Sequence, residues 1–255
     1  MSYISTTLNF LINAIERASS KLNRDLIEIE RMQSVSKNMQ MFLNFSQDFV
    51  CTKLREQLQL GRPDFAVIFE GEKQPAGNHF LVASIDGFIN FGHGIPYFSV
   101  SVAMVEKGVV SAAVIYNPAT GDIWFAEKGS GAFKKGERSH ERLRVSSRKD
   151  LGEALIGINN LSTSIPEAAN VRLQGAVSLD LAAVAAGSLD AVVATSVPAA
   201  VMAAGLLLVK EAGGYVYELN QKDIRSEDLS RALASGNIIA VNAELGKKLH
   251  QALNK

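Results

Sequence analysis

The stretch His79–Phe91, HFLVASIDGFINF, decides how the rest of the chain is read. Its first half is an unbroken apolar run of strand length, and Asp86-Gly87 supplies a turn at its exit. That leaves an acidic residue at the end of a buried strand, beside Ala83, Ser84 and Phe88, which offer the carboxylate no charge partner. Upstream, DFAVIF at 64–69 reads as a second short strand. Downstream, 98–133 alternates apolar runs with Lys-Gly, Pro-Ala-Thr-Gly and Gly-Ser-Gly turns, the pattern of an antiparallel meander. Before the strands, Leu8, Leu11, Ile12, Ile15, Ala18, Leu22, Leu26 and Ile29 recur at spacings of three and four, which predicts one long opening helix. Phe42, Phe45, Phe49, Leu54 and Leu58 predict a second helix packed on it. After about Leu151 strand and helix alternate, with helices predicted in SLDLAAVAAG, in PAAVMAAGLLLVKEAGG and from Ala243, and Ala and Gly on their inner faces. The expected organisation is α/β in layers. Residues 1–148 form a helical pair with a mainly antiparallel sheet, and 149–255 an α/β half of the same compact unit.

Composition excludes several function classes. A chain of 255 residues, 47% hydrophobic and 20% charged, can bury a large core. Lys plus Arg and Asp plus Glu both number 26, so no overall charge draws the chain to nucleic acid or an anionic membrane. The single Cys51 rules out an internal disulfide and CxxC metal sites, and is expected to be packed rather than reactive. The N-terminus lacks the basic start and apolar run of an export signal, and Val197–Val209 is too short to span a bilayer, so the expected location is cytoplasmic. His79, His93, His140 and His250 have no ligand-like spacing. Between Lys134 and Lys149 seven basic residues face only Glu137 and Glu141. That strip reads as a solvated connection between the halves, with docking of an acidic protein surface or RNA as the functional alternative.

The run from Ala83 to Phe133 resembles the inositol monophosphatase family, whose signature is roughly Asp-Pro-(Ile/Leu)-Asp-Gly-Thr-x-Asn-Phe followed by His-Gly-x-Pro. The likeness continues through YNPATG, GSGAF, the SLDLAAVAAGSLDA segment, similar to the family's Ala-Leu-Asp-Leu helix, and AAVMAAGLLLVKEAGG, similar to its Trp-Asp-x-Ala-Ala-Gly helix. The resemblance implies an alternating α/β/α/β/α sandwich, usually a homodimer, and a Mg²⁺-dependent, lithium-sensitive phosphomonoesterase. In such enzymes clustered carboxylates hold two or three Mg²⁺ ions, because a hard divalent cation needs several oxygen ligands.

Carried over position by position, the resemblance implies a depleted site. Glu70 matches the first glutamate of the family's pair, and Gly71 replaces the second. Ala83-Ser84 replaces the Asp-Pro, while the Ile85 carbonyl and the Asp86 carboxylate remain where the family coordinates metal. Phe88 replaces the threonine that positions the attacking water, Ala200-Val201 replaces the Trp-Asp pair, and Ala194 stands where a glutamate meets substrate hydroxyls. The expectation is a protein that keeps the fold, has lost most or all of the chemistry, and acts by binding. A general likeness to the extragenic-suppressor (SuhB-like) branch implies transcription antitermination machinery as a possible partner. The alternative is a residual or redirected phosphatase in which Glu70, Glu72 and Asp86 rebuild one cation site and the backbone N–H groups of Gly87 and Phe88 meet phosphate. Asp86 has two open readings: residual metal ligand, or acceptor of backbone N–H groups at a helix start.

Overall fold

The structure is a computed structural model and describes residues 4–32, 39–163, 165, 170–219 and 229–253. Helix α1 (Thr6–Ala18) starts where the Ser5 side chain accepts the Leu8 N–H, and it buries Leu8, Leu11, Ile12 and Ile15. The expected single long helix is two. The Ser19 and Ser20 N–H groups close α1 by donating to the Ile15 and Arg17 carbonyls respectively, and α2 (Leu22–Met32) begins after a three-residue turn. Serine is a weaker helix former than alanine or leucine, and two in succession favour a break there. The apolar spacing runs through the break because Leu22, Leu26 and Ile29 enter the same core as α1.

Helix α3 (Met39–Gly61) corrects a second expectation. Its core face is Leu43, Ser46, Val50, Leu54 and Leu58, and Phe45 is 60% exposed. Leucines rather than phenylalanines lead the buried stripe because Ser46 must turn inward: its hydroxyl donates at 2.8 Å to Asp25 of α2, which is fully buried.

A seven-stranded sheet follows, in the order β1 (Ala66–Phe69), β2 (His79–Asp86), β3 (Ser99–Glu106), β4 (Val109–Asn117), β5 (Asp122–Glu127), β6 (Gly131–Lys134) and β7 (Glu141–Arg142). Only β1 and β2 pair in parallel; the rest is the expected meander. The five-residue helix α4 (Phe88–Gly92) interrupts it between β2 and β3.

The second sheet contains β8 (Leu155–Ile158), β9 (Asn170–Arg172), β10 (Ala191–Ala194), β11 (Tyr215–Glu218) and β12 (Ile238–Val241), ordered β11-β12-β10-β8-β9. Helices α5 (Val177–Ala185) and α6 (Ala199–Glu211) lie between the sheets, and α8 (Ala243–Leu253) covers the far face of the second, with α7 (Leu229–Ser235) beside β11. The layers are therefore α1–α3, first sheet, α5–α6, second sheet, α8, the expected alternating sandwich. Gly205 makes the inner layer thin: a Cβ there would lie 2.4 Å from the Leu181 side chain of α5. Among the described residues, no helix is long and apolar enough to cross a membrane.

Candidate functional site

Asp86 is placed by a defect in the sheet. Along β2 and β3, Ala83 faces Ser101 but Asp86 faces Ser99, so β2 carries one extra residue. Such a bulge bends the strand and re-aims the side chain that follows it. Gly87 then takes φ +83°, and a Cβ there would come within 2.8 Å of the Tyr97 carbonyl oxygen, so only glycine fits between Asp86 and α4.

The partner missing from the local sequence comes from α5. That helix has Ala176 at its N-cap, with no side chain to accept its free N–H groups. Asp86 does so from the neighbouring layer: Ser178 donates to its Oδ2 through the backbone N–H at 2.7 Å and through the hydroxyl at 2.5 Å. Ser178 Oγ also lies 2.7 Å from Ser99 Oγ, and both serines are fully buried. Sequence reasoning missed this residue, although the signal was present: Ser178 stands where the resembled motif has its leading alanine.

A second buried carboxylate, also missed, sits in the first turn of α5. Asp180 is 1% exposed and accepts hydrogen bonds from the Tyr97 hydroxyl at 2.7 Å and the Gln174 amide at 2.8 Å. Asn90 ties the arrangement together by donating to the Tyr97 and Gln174 carbonyls, each at 2.7 Å. Burial pushes both carboxyl groups up to about 6, against the partial relief given by their donors, and Asp180 is raised further by the charge of Asp86. The exposed Glu70 adds to the upward push on Asp86. Burial and the neighbouring Asp180 raise the Tyr97 phenol.

The other expected site positions separate into surface and core. Glu72 is drawn away from Asp86: it accepts the Phe69 N–H at 2.9 Å and pairs with Arg55 at 3.0 Å. Ala83, Ala194 and Val201 are 1%, 0% and 5% exposed and belong to the apolar cluster between the sheets. The Ile85 side chain is buried, and Phe88 is half-buried against the cluster beneath α1–α3. Ser84 accepts from the Gln47 amide at 3.2 Å, and burial pushes the nearby Cys51 thiol up, away from the reactive thiolate. In the basic strip, Lys134 pairs with Asp122, Lys135 with Glu16 and Arg148 with the buried Asp190, so much of its charge is met within the fold. Among the described residues, no group of three or more His, Cys, Asp or Glu is arranged to hold a metal ion.

Comparison with known proteins gives this geometry its context. The chain is 33% identical over 269 residues to an inositol-1-monophosphatase of Rhizobium meliloti (strain 1021), covering 98% of this chain and 97% of the relative. It is 27% identical over 263 residues to the Nus factor SuhB of Xylella fastidiosa, covering 96% and 94% respectively. The crystal structure of the extragenic suppressor protein SuhB from Bartonella henselae superimposes with a TM-score of 0.83 at 31% identity, covering 99% of this chain and 100% of that one. The family model for inositol monophosphatases matches residues 44–255, and the chain belongs to that family.

Proposed function

We propose that this family member is impaired as a phosphatase and acts by binding. The family reaction is Mg²⁺-dependent hydrolysis of inositol phosphate or a related phosphomonoester. The observation that carries the proposal is the burial of Ala83, Ala194 and Val201 in the apolar interior, where the family resemblance calls for carboxylates. Mg²⁺ requires about six oxygen ligands in near-octahedral array, and methyl groups supply none. Glu70, the Ile85 carbonyl and Asp86 are what remains, and Asp86 already accepts two hydrogen bonds from Ser178. This donor set does not fit the family's cluster of two or three ions.

What the remaining residues do is structural. Asp86 caps α5, Ser99 and Ser178 hold the cap, and Phe88 sets an apolar ring where water would be activated. A second reading is favoured by one observation: Asp86 and Asp180 are pushed up to about 6, and neither has a Lys or Arg within ion-pair distance among the described residues. Asp180 is buried and Asp86 partly so; carboxylates in such surroundings accept a proton or a single cation, and a weak, redirected phosphatase would use the cation.

Phosphate release from inositol 1-phosphate and from an aryl phosphate, with and without Mg²⁺, separates the readings. The expected result is no Mg²⁺-dependent turnover above that of Asp86→Asn. Turnover that needs Mg²⁺ and vanishes in the variant overturns the proposal. The binding reading includes a cytoplasmic homodimer, supported by family habit and by Val171 and Leu173, 39% and 50% exposed on and beside the edge strand β9. It also includes a transcription-related partner, supported by relatives named as Nus factors.

A further inference from the structure

Away from the carboxylates, the turn between α1 and α2 and the outer face of α3 enclose an open cleft of about 450 Å³, lined by Ser20, Lys21, Arg24, Phe45 and Phe49. Phe45 and Phe49 are one turn apart on α3 and share a face. The Lys21 ammonium lies 4.5 Å from the Phe45 ring centre, 5.6 Å from Phe49 and 6.0 Å from Phe42. It is fixed from behind by Asp25, 3.5 Å away, whose other carboxylate oxygen accepts the Ser46 hydroxyl. The floor is therefore set before any ligand arrives. Arg24 is exposed, with no carboxylate within ion-pair distance among the described residues.

Phe45 is an anomaly for a helix surface, 60% exposed, and Met41, one turn earlier on the same face, is 70% exposed. Single exposed apolar residues are ordinary, but adjoining ones rimmed by charge mark contact sites. The volume is that of a site for one or two side chains. Lys21 is half answered by Asp25 and Arg24 is not, so the cleft carries surplus positive charge beside an aromatic wall. A ligand that satisfies both has an apolar anchor flanked by carboxylates.

The geometry points to a docking site for an acidic peptide segment: an aromatic or aliphatic side chain enters between Phe45 and Phe49, and a neighbouring Asp or Glu pairs with Arg24 and Lys21. Helices α2 and α3 form the groove in this mode of recognition. The site stands apart from the Asp86 region and does not depend on whether that region hydrolyses anything.

The test is fluorescence anisotropy of a labelled synthetic peptide, Asp-Glu-Trp-Asp-Glu-Leu, against the full chain, with a basic analogue in which all four acidic residues are Lys as control. The acidic peptide is expected to bind and the basic analogue to bind at least tenfold more weakly, with affinity falling as salt rises. Arg24→Glu and Phe45→Ala, both surface changes, are each expected to weaken binding about tenfold. Far-ultraviolet circular dichroism checks that they fold, and phosphate release checks that whatever activity the wild type has is unchanged. The proposal is overturned by no binding at millimolar peptide, by equal binding of the basic analogue, or by wild-type affinity in both variants. It is also overturned if mass rises with protein concentration in the wild type but not in Phe45→Ala, which assigns the face to a second copy of this chain.

Discussion

Two regions of this molecule hold buried or partly buried aspartates and treat them differently. In the helical layer, Asp25 is fully buried and has both a hydroxyl, from Ser46, and a cation, from Lys21. Between the sheets, Asp86 and Asp180 have hydroxyls, an amide and a backbone N–H and, among the described residues, no cation. The first region is electrically self-sufficient. The second holds two carboxyl groups on hydrogen bonds without a counter-charge among the described residues, and burial lifts both to about 6. Hydrogen bonds alone do not replace a counter-charge in a low-dielectric interior.

The strongest way to break this contrast is by pH. Asp86 rises from 3.8 in the unfolded chain to about 6 in the fold, so the folded state holds its proton more tightly. Its contribution to stability is complete below pH 3.8 and is lost as pH rises through 6. At about 1.4 kcal/mol per unit, the loss is on the order of 3 kcal/mol. Asp86→Asn mimics the protonated group and is expected to exceed the wild type by that order at pH 7.5, with no difference at pH 3.5, by urea unfolding. Equal stability at both values would mean that a bound cation or proton already neutralises Asp86.

A smaller effect is expected from removing the counter-charge in the self-sufficient region. Lys21→Met leaves Asp25 buried with only a hydroxyl and is expected to cost about 2 kcal/mol, less than a fully buried pair because the lysine reaches solvent. Adding Asp25→Asn should recover most of the loss. If the double variant is as unstable as the single one, Lys21 acts through its packing on the phenylalanines instead. Smallest is Ser178→Ala, which removes one of two donors to Asp86 and is expected to cost about 1.5 kcal/mol at neutral pH and less at acidic pH, where a neutral carboxyl needs the donor less. A cost that is the same at both pH values would place the role of Ser178 in helix packing.

The fold was legible where a local pattern and a turn residue coincide. The meander showed itself through its Gly-containing turns, and the β2 exit through Asp86-Gly87. The break at Ser19–Lys21 stayed hidden because periodicity reports which face is buried, and both helices bury residues in one core. The Phe42, Phe45, Phe49 stripe misled because α3 offers two apolar faces, and the choice between them was made by Asp25, on another helix. At the site, the family motif names positions one at a time and no pairings, and the partner of Asp86 lies 92 residues away. Nothing in HFLVASIDGFINF could name Ser178; only the departure from alanine in a second motif pointed there. The one-residue bulge that aims Asp86 leaves no mark in composition either, since Ser84 and Ile85 are ordinary strand residues.

Helix α6 carries a consequence for how the chain reaches this state. Ten of its residues, Ala200–Val209, are buried on every side, and it touches strands of both sheets. A helix apolar all round has no polar face to orient it alone in water, so it acquires its place only when both sheets close over it. The two sheets therefore unfold as one cooperative unit, and any intermediate that opens between them exposes a sticky segment of ten residues to aggregation or to chaperone capture.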